Sequence, residues 1–391
     1  MKILIIGAGM YVSGRNETGS GTLLSSLAQI SKKMLITGVT VVATKASNAD
    51  EVDRAVQRIN DAIGSNLIVN YQVVGKNISE AIDLLCNAQK FDCAIVCVPD
   101  HLHFEYGKAL ISNKVPCLIV KPLVPTLREA MELEKLSASL KVYAAVEFHK
   151  RWDITNLWIK KALQERRVGK VLYFTVDYSQ KLSIPSSTFL GWSSKTNIFQ
   201  YLGVHYVDLI WFLTGFKPVR AVAIGTTGRL KNMGIDTWDS VHASIIWVNP
   251  LDEKDWFVSQ LSTNWVDPEC TSALSDQKYK IVGTLGRFEC DQKNRGLEFV
   301  TEESGIQQIN PYFSEYLPDV NGKNNFSGYG YESIARFIED VCALQNGYEN
   351  LINLTNKRPS IKDALVSTAV IDAVNKSLKN NFSWKEVDEI F

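Results

Sequence analysis

The sequence predicts two domains of different kinds: an α/β domain on a doubly wound parallel sheet, followed by an α+β domain on a large, mainly antiparallel sheet. Three observations lead there. Residues 1 to about 145 alternate short apolar runs with segments of helical period, the pattern of parallel βαβ units. Beyond Arg151 the runs lengthen, alternate in polarity and follow one another without intervening helices, as antiparallel strands with one covered face do. The chain, at 391 residues and 46% hydrophobic, also holds more apolar material than one core usually takes.

Taken in order, strands are expected at Lys2–Ile6, a β-branched run stopped by glycine, then at Val39–Thr44, Ile68–Val74, Asp92–Val98, Val115–Ile119 and Val142–Ala145. Helical periodicity between them predicts helices over Asn48–Ile63, Ser79–Ala88, His101–Ser112 and Thr126–Ser139. Six strands in this order are enough for a dinucleotide-binding sheet over residues 1–148. In the second domain, 149–391, an amphipathic stretch at Asp153–Arg166 precedes strands at Val171–Tyr178, Val219–Ile224, Val241–Val248, Phe257–Trp265 and Tyr279–Leu285. Helices at Glu332–Gln345 and Ile361–Leu378 close the chain. No repeat, low-complexity segment or Pro/Ser-rich linker separates the two domains, so a tight junction is expected near 147–152.

Charge excludes some partners. Lys+Arg and Asp+Glu balance at 42 each and no basic run stands out, which argues against nucleic acid or a membrane surface. The seven cysteines are odd in number, carry no CxxC or zinc-ligand spacing and sit largely in apolar runs. They read as free thiols in a reducing compartment, with no metal site. "MKILIIGAGM" breaks into glycine too early for a signal peptide or membrane span, so the cytoplasm is expected.

Gly7-Ala8-Gly9 directly follows the first strand, where a tight turn lets backbone N–H groups approach a pyrophosphate, with Met10 opening the next segment. The third glycine of a GxGxxG pattern falls at Val12, so an expanded loop is expected to run through Gly14 to a helix starting near Thr22. Gly19 or Gly21 then takes the helix-packing role. At the end of the second strand, Thr44, Lys45 and Ser47 stand where an acid usually holds a ribose 2′-hydroxyl. Groups able to bind phosphate oxygens, in place of an acid, favour NADP(H) over NAD(H).

One residue is out of place for a buried strand. Lys121 ends the apolar run Leu118–Val120, where an unpaired ammonium costs several kcal/mol or gives up its proton, and Pro122 follows. This strand end and the preceding Pro99–His103 loop both lie at the carboxyl edge of the sheet, where ligands bind. Here the chain resembles the Gfo/Idh/MocA oxidoreductases, the family of glucose-fructose oxidoreductase and inositol dehydrogenase. Their Glu-Lys-Pro motif keeps its lysine and proline here as Lys121-Pro122, with Val120 in place of the glutamate, and their Pro-x-x-x-His element is matched by Pro99 and His103. A second motif, Asp-x-Gly-x-His-x-x-Asp, is matched by Gly203, His205 and Asp208, with Tyr201 at the first acid. "EFHKRWD" at the junction and the last helix extend the resemblance over essentially the whole chain.

The resemblance implies a Rossmann domain, a nicotinamide cofactor and a carbohydrate substrate. Hydride transfer at a carbinol carbon needs a group that exchanges the oxygen's proton. By resemblance Lys121 is that group, His205 shares the role, Tyr201 stands in for the missing carboxylate and Asp208 orients the imidazole. Pro99, His103 and Pro122 border the cofactor, and Arg151 and Trp192 join Lys121, Tyr201, His205 and Asp208 around the substrate. Two alternatives stay open: a regulator that binds the dinucleotide without turning it over, and an imine or enone reductase. Apolar residues on both faces of the run from Val241 to Leu285, such as Ile245, Ile246 and Trp247, predict a homodimer or homotetramer.

Overall fold

The computed structural model describes residues 1–14, 21–75 and 77–388. The chain divides into two compact units. The first comprises Met1–Val124, Arg128–Asp153 and Tyr312–Ala364; the second comprises Pro125–Leu127, Ile154–Pro311 and the chain from Leu365 onward. The sequence reading placed everything after residue 149 in one domain. Tyr312–Ala364 instead returns to the first unit, because its helix buries Ile334, Phe337, Ile338 and Val341 against Leu23, Leu24 and Leu27.

In chain order the first unit begins with β1 (Lys2–Ile6), α1 (Met10–Ser13), α2 (Thr22–Ser31), β2 (Gly38–Ala43), α3 (Ala49–Ile63) and β3 (Val69–Val73). It continues with α4 (Ile78–Ala88), β4 (Cys93–Val96), α5 (His103–Ser112), β5 (Cys117–Val120), α6 (Leu127–Leu140) and β6 (Ala144–Glu147). All six strands are parallel in the order 3-2-1-4-5-6. The order reverses between β1 and β4, and the carboxyl ends flanking that switch point form the crevice where such sheets bind ligands. Every expected strand is present, with ends moved by no more than two residues. The runs are apolar throughout because both faces are covered: β1 buries Ile3 to Ile6 completely.

The second unit contains α7 (Ile154–Gln164), β7 (Val171–Lys181), α8 (Val204–Thr214), β8 (Lys217–Thr226), α9 (Arg229–Asn232), β9 (Ser240–Asn249) and β10 (Asp252–Asp267). Next come β11 (Ser275–Gly283), β12 (Arg287–Asp291) and the ribbon of β13 (Glu298–Thr301) and β14 (Gly305–Gln308). Back in the first unit are β15 (Glu315–Pro318), β16 (Asn324–Ser327), α10 (Tyr329–Gln345) and α11 (Leu351–Lys357); α12 (Ile361–Lys379) and β17 (Lys385–Glu386) follow. The large sheet runs β12-β11-β7-β10-β9-β8-β17, with β7 and β10 parallel and the other pairs antiparallel.

Alternation assigns the faces of this sheet. Ile245, Trp247, Phe257, Leu261 and Phe174 are fully or almost fully buried on the helix-covered face, where Asn156 of α7 accepts a hydrogen bond from the Tyr279 hydroxyl. The open face is mostly polar: Thr175, Ser244, Gln260 and Ser262 point outward, and a depression of about 590 Å³ is lined by Ser262 with Asp177, His242, Asn264 and Lys278. One row differs. Val282, Tyr173, Val258 and Ile246 are register neighbours across four strands and stand partly exposed side by side. The expectation of apolar residues on both faces therefore holds for this row and for the exposed Trp256 and Ile224, whereas Ile245 and Trp247 belong to the core. Among the described residues, no helix is long and apolar enough to cross a membrane.

Candidate active site

The crevice of the first unit is assembled from five strand ends. After β1, Gly7 adopts φ +106°, and a Cβ there would stand 2.1 Å from the Cys97 carbonyl oxygen. Only glycine lets the turn pass so close to the end of β4. Gly9 differs in kind: it is exposed, and a Cβ would meet nothing within 4 Å. The turn therefore leaves open ground at Gly9 for a group to lie against the backbone, which fits a dinucleotide phosphate. Met10 opens the short α1, an element the sequence reading did not foresee, and Val12, at the position of the third motif glycine, is fully buried within it. The next helix starts at Thr22 as expected, and Gly21 packs so tightly that a Cβ would fall 2.5 Å from the Val12 carbonyl oxygen. Gly19 lies outside the described residues.

Beyond β2, Thr44, Lys45 and Ser47 are exposed, and no acid occurs between Ala43 and Asn48. The Lys45 carbonyl accepts a 2.6 Å hydrogen bond from Tyr71, which holds the backbone of this edge in place.

Pro99 leads from β4 into a single turn, Asp100–Leu102, and then into His103 at the start of α5. The His103 ring is buried and engaged at both nitrogens: Nδ1 faces the carbonyl oxygens of Pro122 at 2.7 Å and Leu123 at 3.2 Å, and Nε2 faces that of Val98 at 2.9 Å. Its place is therefore that of a clamp between the β4 and β5 loops. Burial pushes its pKa down, against the pull of Asp100 and the three carbonyls.

Lys121 extends directly from β5 and is 8% exposed. Burial pushes its pKa down to about 8, while Glu147, Asp100 and Cys97 act in the opposite direction. Glu147 was missed by sequence reasoning. It ends β6, pairs in register with Val120 and is 0% exposed, and His149 Nδ1 lies 3.1 Å from its carboxylate. A signal was available: like Lys121, it is a charge closing an apolar strand. The Tyr11 hydroxyl is buried beside Glu147, and burial and then that carboxylate raise its pKa. The Cys97 thiol is pushed up to about 12, first by burial.

Arg151, also in the first unit, is buried, pairs with Asp363 and lies over the Phe148 ring. Its guanidinium is thereby engaged in holding the segment after β6.

Tyr201, His205, Asp208 and Trp192 belong to the second unit. Residues Phe199–Gly203 form a π-helical turn that runs straight into α8. Gly203 is required there, since a Cβ would stand 2.7 Å from the Phe199 ring. The turn presents Tyr201 to Phe189 (centroids 5.0 Å apart), Trp192 (6.0 Å) and Trp265 (5.8 Å), so its ring belongs to an aromatic cluster. Trp265 donates to the Gln180 side-chain oxygen at 3.0 Å. His205 is buried in the first turn of α8, with its ring 6.2 Å from that of Tyr178, and Asp208 is buried one turn later. The structure thus gathers Gly7, Gly9, Pro99, His103, Lys121 and Pro122 on the first unit and the tyrosine, histidine and aspartate of the second motif on the other.

Comparison with known proteins agrees with this architecture. The description "Oxidoreductase family, NAD-binding Rossmann fold" of Gfo/Idh/MocA matches residues 1–148, and the GFO/IDH/MocA C-terminal domain matches residues 157–289. The chain is similar to the uncharacterized oxidoreductase YdgJ of Escherichia coli strain K12, 33% identical over 90 residues. That match spans 23% of this chain and only 26% of the relative. It is also similar to the inositol 2-dehydrogenase of Rhizobium meliloti strain 1021, 25% identical over 299 residues, 76% of this chain and 81% of the relative. The scyllo-inositol dehydrogenase of Lactobacillus casei, solved with bound NAD(H) and scyllo-inositol, has the same fold, with TM-score 0.64 and 15% identity over 99% of this chain and 98% of that one. The glycine turn, the lysine-proline strand end and the two matched domains make this chain a member of the Gfo/Idh/MocA oxidoreductase family.

Proposed function

We propose that this protein is an NAD(P)-dependent oxidoreductase acting on a secondary alcohol or ketone of a sugar, cyclitol or nucleotide-linked sugar. The observation that carries the reading is a buried lysine of lowered proton affinity at the carboxyl edge of a dinucleotide-type sheet, in the same unit as the Gly7–Gly9 turn. Gly7, Gly9, Met10, Pro99, His103 and Pro122 form the cofactor's surroundings. When bound, the nicotinamide accepts or supplies the hydride. Lys121, as the neutral amine, accepts the hydroxyl proton as the carbinol is oxidised and returns it to the oxygen in reduction. In the second unit His205 is assigned a share in that proton, Asp208 orients the imidazole, and Tyr201 and Trp192 bind the substrate. The inositol dehydrogenases among its relatives support a cyclic polyol, and its free thiols support a cytoplasmic setting. Following nicotinamide absorbance against a panel of sugars, cyclitols and nucleotide sugars tests the reading. Absence of turnover with all of them, despite dinucleotide binding, would favour a regulator.

NADP(H) is the preferred cofactor in this reading, held at its 2′-phosphate by Lys45 and Ser47. Lys45→Asp is then expected to weaken NADPH by about 1.5–3 kcal/mol, the worth of a charge-assisted hydrogen bond, and NADH far less. Fluorescence titration with both cofactors measures the difference, and equal losses would remove the preference.

The protein works as a homodimer or homotetramer in this reading, joined through the apolar row on the open sheet face. Light scattering should give at least twice the chain mass. Val258→Glu, at an inner position of that row, should return it to monomer without unfolding it. A monomeric wild type at micromolar concentration would contradict the assembly.

A further inference from the structure

A carboxylate with no exposed surface does not stay charged beside hydrocarbon; it is protonated or paired. Glu147 is such a group, and its surroundings decide between the two. It ends β6 in register with Val120, so it lies one residue from Lys121 on the neighbouring strand end. His149 Nδ1 reaches it at 3.1 Å, and this ring stacks on Tyr329. The buried Lys121 ammonium has the matching need: nearly all of its solvent is gone, and nearby negative charge opposes the effect of burial. Asp100, the other acid near the lysine, also acts on His103 and lies 3.9 Å from His101. Position 120, where the family motif carries an acid, holds valine; the carboxylate enters from the adjacent strand instead.

We propose that Glu147 is the positioning residue for Lys121: a buried carboxylate that holds the lysine head at the strand ends and governs when it carries a proton. This rests on the reading of Lys121 as the proton-exchanging group. The titratable groups facing the pair are Asp100 and Cys97 on the β4 side and Tyr11 and His149 around the glutamate, with His103 behind Asp100 and Tyr329 behind Tyr11. Glu147 favours the ammonium whereas burial disfavours it, so removing the charge leaves burial less opposed and the lysine pKa falls.

The test needs no substrate. In protein labelled with ¹³C at the lysine ε-carbon, the Lys121 resonance is identified by its loss in Lys121→Met and titrated with pH. Wild type should titrate near 8. Glu147→Gln should titrate lower by roughly one pH unit or more, the effect of losing the nearby opposite charge. A midpoint that does not move overturns the inference. Should Glu147→Gln fail to fold, the Glu147→Gln/Lys121→Met double variant, which has no ammonium left to pair, is expected to fold; failure of the double variant also overturns it. Once a substrate is known, the acid limb of kcat/KM for oxidation should move down in pH by the same amount, with dinucleotide affinity unchanged. A purely structural glutamate would lower stability and leave both midpoints in place. If no substrate turns over, the functional reading fails separately, and the titration still decides the role of Glu147.

Discussion

Lys121→Met is expected to lower turnover by about 10²–10⁴-fold, the usual contribution of a general acid or base, while leaving the fold and dinucleotide affinity intact. Methionine preserves the apolar stem that fills the end of β5 and deletes only the group that exchanges the proton. Two pH effects accompany it. Because the lysine has a pKa near 8, the oxidation rate of the wild type should rise with pH through that value as the amine becomes neutral, and this limb should vanish from the residual activity of the variant. The folded-state pKa also lies below the ordinary value of 10.5, so the unfolded chain binds more protons between them. Lys121 therefore adds stability as pH rises from about 8 to 10.5, and the difference between wild-type and variant unfolding curves should show that slope. A variant with wild-type turnover on an identified substrate would sink the proton-transfer role.

The two turn glycines should fail in different ways. Gly7→Ala places a methyl 2.1 Å from the Cys97 carbonyl oxygen and forces φ +106° on a residue with a side chain. Overpacking and backbone strain each cost about 1–3 kcal/mol, so a loss of about 3 kcal/mol or more is expected, with dinucleotide binding abolished. Gly9→Ala meets nothing within 4 Å and should leave the melting temperature unchanged. If the dinucleotide lies against that backbone, the same methyl weakens its binding. Calorimetry and cofactor titration on both variants give the comparison. A Gly9→Ala protein with full dinucleotide affinity would move the phosphate away from this turn.

Much of this site was legible in the chain because its signals are local. Lys121 and Gly7 stood out as residues that their strand context does not tolerate without a reason. The helix start at Thr22 was visible because Val12 breaks the glycine spacing, whereas the short α1 at Met10–Ser13 was not. Glu147 was not read, since a single acid after "AAV" looks like any strand end until the sheet order lays β6 beside β5. The π turn at Phe199–Gly203 was equally hidden, because its extra residue per turn is held by the packing of Phe199 on Gly203 rather than by any local propensity.

By itself the sequence determined the six parallel strands, the large second sheet and the position of the lysine, because hydrophobic period and the cost of burying charge act over a few residues. Only the tertiary structure decided what is paired across distance. The return of α10 to the first unit, the apolar row on the open face and the carboxylate beside Lys121 each depend on which segments meet. Long-range packing selects those meetings, and residues on different elements carry no local trace of them.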